Sequence, residues 1–209
     1  MRKMLCVSDG FIIFQTILRG TMAKRDPQVE VSLDLGSDED ETAFQHLLSS
    51  LPLEKVVSQT LRKAGINQPV MLTLLITNDE TIHNLNKQYR GHDKPTDVLS
   101  FPLLDKPLVS APADQLWLLP DALDRGGTQT KQEFVTPAEL TMHLGDIIIS
   151  WPTVVRQATE AGYKPAYELL YLLSHGVLHL IGYDDQTEAG YQAMMHIQQA
   201  VMEATVQKA

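Results

Sequence analysis

From Val29 to Leu35 apolar and polar residues alternate, the period of a strand with one buried face. The five acids between Asp34 and Glu41 that follow read as a solvated loop. Leu53, Val56, Val57, Leu61 and Ala64 then recur at helical spacing, and Gly65 closes that helix. Val70 to Thr77 has the length and flanks of a buried strand, although its leucines leave a helix open. Asn78, Asp79 and Glu80 open a helix through Ile82, Leu85 and Tyr89, because a short polar side chain caps and acids suit the positive end of the dipole. Thr96–Phe101 and Leu144–Ser150 read as two more strands, and Trp151–Ala161 and Thr187–Val206 as helices. Ala166 to Ser174 is apolar with one acid and no breaker, so Pro165–Ile181 is a largely buried helix, which Gly182 ends.

Strands and helices without strict alternation indicate an α+β fold, a small mixed sheet with helices packed on it. With 209 residues and 44% hydrophobic content, residues 27–209 are expected to bury one core as a single domain. The stretch from Leu103 to His143 holds Pro107, Pro112, Pro120, Gly126, Gly127 and Pro137 and is too broken for a core element. Its Trp117 and the leucines beside it are expected to cover the domain, with partner docking as the alternative. Residues 1–26 fit a signal peptide poorly, since Asp9 precedes the Phe11–Phe14 patch and Gln15 and Thr16 interrupt it. They are read as a disordered or wrongly assigned extension, with Met22 as an alternative start.

The formal charge of −9 argues against a general nucleic-acid coat, so any RNA contact must be local. Cys6 is the one cysteine, which excludes an internal disulfide and fits a reducing compartment. No apolar run is long enough to cross a bilayer.

The chemistry concentrates in His175-Gly-Val-Leu-His179-Leu-Ile-Gly182-Tyr183-Asp184-Asp185. Two histidines four apart share one helical face, and a turn at Gly182 would bring Asp184 or Asp185 back beside them. Three ligands with one open position make a catalytic zinc arrangement. A lone histidine on an apolar helix is more often a hydrogen-bonded core residue, but packing does not explain the pair, the glycine and the acids together. Helical zinc peptidases place a glutamate base after the first histidine; here that residue is Gly176. The glycine and third-ligand spacing otherwise resemble the metzincin peptidases, so the metal itself would have to acidify its water.

Two further blocks matter, Asn86-Lys-Gln-Tyr89-Arg90-Gly91-His92-Asp93-Lys94-Pro95-Thr96-Asp97-Val98-Leu99-Ser100-Phe101 and Leu144-Gly145-Asp146-Ile147. With the His175 segment, in that order, they resemble the YbeY family of bacterial and organellar endoribonucleases. The resemblance runs from about Val29 to the C-terminus and implies one zinc ion held by His175, His179 and Asp185. Asp185 stands where the family has a third histidine. A carboxylate is an acceptable ligand, but its charge should make the bound water less acidic and could favour manganese. Asp184 is then the acid that orients an imidazole N–H from outside the ligand set.

From sequence alone Arg90 is a surface cation or a partner of a helix C-terminus. The resemblance makes it the catalytic arginine, beside His175, and a substrate contact together with Lys94, which would meet a phosphate. Asp97 and Asp146 are expected to be structural, and His46, His83, His92, His143 and His196 to lie outside the metal site. The family's connection between the two strands is shorter, so 103–143 is an insertion. The implied activity is a zinc-dependent, single-strand-specific endoribonuclease in rRNA maturation at the small-subunit 3′ end and in ribosome quality control. The implied partners are single-stranded RNA and the small ribosomal subunit, and the implied setting is the bacterial cytoplasm, an organelle staying open. The competing readings are a metzincin-like metallopeptidase and a ribosome-assembly factor with weak catalysis.

Overall fold

The computed structural model describes residues 26–117 and 141–205, together with the two-residue strands β1 (Val7–Ser8), β2 (Phe11–Ile12) and β3 (Gln15–Thr16). The rest of the expected extension over 1–26, and residues 118–140 of the expected insertion, lie outside the described residues.

Four longer strands build the domain: β4 (Gln28–Asp34), β5 (Val70–Thr77), β6 (Val98–Pro102) and β7 (Met142–Ser150). β4 runs parallel to β5 and β5 parallel to β7, while β6 closes the edge antiparallel to β7. β3 pairs antiparallel to the outer side of β4. The sheet is therefore small and mixed, as the α+β reading requires. Among the described residues six α-helices complete it: α1 (Asp38–Ser50), α2 (Leu53–Lys63), α3 (Asp79–Arg90), α4 (Trp151–Ala161), α5 (Pro165–Ile181) and α6 (Glu188–Thr205).

Side chains alternate across a strand, so the sheet has two apolar faces and covers both. Leu74, Ile76, Ile147 and Ile149 point into the main core with α2 and α5, where Val56, Val57, Leu173 and Val177 are fully buried. Leu99 and Ile148 point the other way, onto Ile82 of α3. This second layer is thin, and it seats the first turns of α3 on the sheet.

The acidic run is not a loop. Asp38 to Glu41 form the first turn of α1. Phe44 and Leu48, four apart, are buried, and Phe44 meets Trp151 edge-on at 4.6 Å. β6 starts two residues later than the alternation suggests. Asp97 interrupts the ladder: its Oδ1 accepts from the Val98 N–H and the Thr96 hydroxyl, and its Oδ2 from Gln157 Nε2. Asp97 is thus a structural acceptor.

Candidate metal centre

Helix α5 begins with Pro165 at a position that needs no donated hydrogen bond, and ten of its seventeen residues are buried. His175 and His179 lie one turn apart near its C-terminus, their Nε2 atoms 3.0 Å from each other. Gly182 ends the helix at φ 126°, a region that side chains rarely enter, and a Cβ there would press on Pro107 at 2.6 Å. The reversal brings Asp185 back, with carboxylate oxygens 3.7 Å from His175 Nε2 and 3.9 Å from His179 Nε2. Among the described residues these three form a group whose ligand atoms all lie within 4.8 Å of one another.

An outer contact fixes which nitrogen of the His179 ring carries the hydrogen. His179 Nδ1 lies 3.0 Å from the Tyr183 carbonyl, which can only accept, so the hydrogen is on Nδ1 and Nε2 is left with a lone pair. His175 Nδ1 lies 3.5 Å from Gln198 Oε1 on α6, and the Gln198 amide Nε2 donates to the Tyr171 carbonyl at 3.4 Å. His179 thus aims a lone pair at His175 Nε2, beside a carboxylate, and His175 aims one back when its hydrogen lies toward Gln198. Two imidazole nitrogens and a carboxylate oxygen converging on one point form a donor set that fits a divalent metal. Burial, and then the neighbouring His175, push the His179 imidazole down to about 4, against the opposing pull of Asp185. Metal binding requires that neutral form.

A strap from the 103–117 segment holds the ligand turn. The Leu108 N–H donates to the Ile181 carbonyl at 2.8 Å, the Trp117 N–H to Gly182 at 2.9 Å, and the Asp184 N–H to Gln115 at 3.0 Å. The Trp117 indole N–H donates to the His179 carbonyl at 3.0 Å. Leu104, Leu108 and Leu116 pack against the core, and the Trp117 indole touches the backbone of a candidate ligand.

Asp184 differs from expectation. Its Oδ1 accepts from the Gln186 N–H at 3.3 Å, which stabilises the turn. The imidazole N–H groups are met by Tyr183 and Gln198 because the reversal points main-chain oxygen, and not the Asp184 carboxylate, at His179. Gly176 packs on the sheet: a Cβ would meet Ile147 atoms at 2.8 and 2.9 Å, so no side chain fits there to serve as a base.

Arg90 is exposed at the last position of α3, and Lys94 is exposed in the turn beyond it. Both stand outside the three-residue group. Buried Asn86 pins that turn by donating to the Lys94 carbonyl at 2.8 Å, and Tyr89 packs edge-on against Phe101 at 5.2 Å. His83 pairs with Asp93, and His143 lies 3.3 Å from Thr73 and 4.0 Å from Asp146. His46, His92 and His196 are exposed.

Sequence reasoning missed Gln198. It interrupts the apolar stripe of Met194, Val201 and Met202 on α6, and a glutamine on such a stripe is the signal that could have found it. The Trp117 indole contact has no comparable local signal.

Comparison with known proteins is consistent with these features. A family model described as Endoribonuclease YbeY matches residues 35–206. A protein of that name from Roseiflexus castenholzii is 41% identical over 134 residues, 64% of this chain and 69% of that protein. One from Dehalococcoides mccartyi is 39% identical over 142 residues, covering 68% of this chain and 72% of the relative. Another, from a second strain of that species, is 38% identical over 159 residues, 76% of this chain and 89% of the relative.

Proposed function

The chain belongs to the endoribonuclease YbeY family, and from that premise we propose that it is a zinc-dependent hydrolase of phosphodiester bonds in single-stranded RNA. The observation that carries this reading is the convergence of His175 Nε2, His179 Nε2 and an Asp185 oxygen, with the His179 hydrogen engaged on the far side of its ring and Gln198 Oε1 facing the far side of His175. His175, His179 and Asp185 would hold one zinc ion. When bound, such an ion supplies Lewis acidity, drawing charge from a phosphoryl oxygen and acidifying water.

The chain's own residues do the rest. Arg90 presents a planar fork of donors that can grip two phosphoryl oxygens as they gain charge, and Lys94 offers a point charge to a neighbouring phosphate. His175 takes part in the chemistry by keeping its Nε2 lone pair available. With a net charge of −9 and few cations near the site, the molecule cannot hold a duplex through many phosphates, whereas an unpaired strand needs only local contacts. Family membership supports a role in rRNA maturation at the small-subunit 3′ end and in ribosome quality control, with the small subunit as partner and the bacterial cytoplasm as setting. No helix among the described residues is long and apolar enough to cross a membrane.

The test compares a single-stranded RNA oligonucleotide, the same RNA as a duplex, and casein, using metal-analysed protein and its Arg90→Ala variant. Expected are stoichiometric zinc, cleavage of the single strand only, and a loss of about 100-fold or more in Arg90→Ala without loss of metal. Casein degradation with intact RNA would replace this reading with the peptidase, and undiminished cleavage by Arg90→Ala would remove the arginine from it.

A further inference from the structure

We propose that Gln198 is a positioning residue for the metal centre, one that holds His175 as an Nε2 ligand from the opposite side of its ring. The inference rests on the reading of His175, His179 and Asp185 as metal ligands, and it adds a fourth residue from a different helix.

Gln198 is 2% exposed, so its amide must be satisfied within the protein. Its two ends do different things. Nε2 donates to the Tyr171 carbonyl, one turn before His175 on α5, and this fixes which end of the amide is the oxygen. Oε1 then faces His175 Nδ1 at 3.5 Å and can only accept, so it draws the ring hydrogen to Nδ1, in competition with His179 Nε2, which lies 3.0 Å from His175 Nε2 on the other side of the ring. With the hydrogen on the other nitrogen, His175 Nε2 would point a hydrogen at the metal position and could not ligate.

The choice of residue follows from these two demands. An ionised glutamate would offer a second acceptor to the Tyr171 carbonyl and bury a charge, and a leucine or methionine would satisfy neither contact. Glutamine alone is an acceptor toward the ring and a donor toward the backbone without adding charge. The neutral amide also matters because Asp185 already brings one negative charge to the site; a second acid behind His175 would further reduce the metal's pull on its water. Gln198 and the Tyr183 carbonyl thus do the same task for the two rings, one through a side chain and one through the main chain.

The experiment records nitrogen-15 NMR of the imidazoles in metal-free wild-type protein and measures zinc affinity by competition with a chromogenic chelator, for wild type, Gln198→Met and Gln198→Glu. In wild type the His175 ring is expected to be protonated at Nδ1. Gln198→Met is expected to shift that ring toward the Nε2-protonated form and to weaken zinc binding about 10- to 100-fold, while Gln198→Glu keeps the hydrogen on Nδ1 and stays within about threefold of wild type. A purely structural role for Gln198 would lower stability without changing the tautomer. Wild-type His175 protonated at Nε2 overturns the proposal even if Gln198→Met fails to fold, and so does a folded Gln198→Met protein with unchanged affinity. If wild type binds no zinc but the tautomer depends on Gln198, the metal reading fails and the positioning contact stands.

Discussion

Replacing Gly176 by alanine asks whether α5 must lie directly on the sheet to set the imidazole pair. The new Cβ would sit 2.8 Å from Ile147 Cγ2, 2.9 Å from Cδ1 and 3.1 Å from Cγ1, where carbon atoms prefer about 3.5–4.0 Å. Ile147 cannot retreat easily. It is fully buried, and β7 is hydrogen-bonded to β5 on one side and β6 on the other. Relief must come from a shift of α5, which carries both histidines. Overpacking of this kind costs about 1–3 kcal/mol, and the better helix propensity of alanine offsets about 1 kcal/mol. Three simultaneous overlaps favour the upper part of the range, leaving a net loss of about 1–2 kcal/mol, or a fall in Tm of about 2–8 °C for a chain of this length. Urea denaturation of metal-free Gly176→Ala, Ile147→Ala and the double variant measures it. In the Ile147→Ala background the atoms that clash are gone, so Gly176→Ala should become neutral or stabilising there. A Gly176→Ala protein more stable than wild type, as at an ordinary helical glycine, would refute the close-approach argument.

Two other outcomes are expected. Because His179 is held near 4, well below the value for an exposed imidazole, the unfolded chain binds more protons than the folded one between about pH 6.5 and 4. Its neutral form therefore supports the fold fully above pH 6.5 and progressively less as pH falls, and metal-free wild type should lose about 2 kcal/mol relative to His179→Gln between pH 7 and pH 5 in paired urea titrations; parallel curves would contradict the burial of that ring. Trp117→Phe removes the indole donor to the His179 carbonyl, which should cost about 1 kcal/mol in urea denaturation and weaken zinc binding several-fold in chelator competition; an unchanged zinc affinity would show that the strap does not influence the ligands.

Much of this architecture could be read from local pattern. Val70–Thr77, Trp151–Ala161 and Pro165–Ile181 have the bounds that periodicity and punctuation give them, because each is long, apolar on the right face and ended by glycine or a polar cap. The ligand turn was legible for the same reason: a helical pair, a glycine and an acid are all local. Helix α1 was misread because acids were weighed as solvated charge, whereas at a helix start they are favourable and Phe44 and Leu48 anchor the turns that follow. What local pattern could not supply was contact across the fold. Gln198 meets His175 from 23 residues away and Trp117 meets His179 from 62 residues away, pairings created only when α6 and the strap close over α5. Sequence narrowed the third ligand to two adjacent acids, and the direction of the chain reversal places Asp185 within reach of both rings.

The bonds that shape this reversal run almost entirely through peptide groups: Ile181 and Gly182 accept through their carbonyls, and Tyr183 and Asp184 donate through their amides. The side chain at position 185 contributes nothing to that scaffold. Its identity could therefore vary without the loop being rebuilt, and histidine or aspartate would be offered to the same point from a common mount.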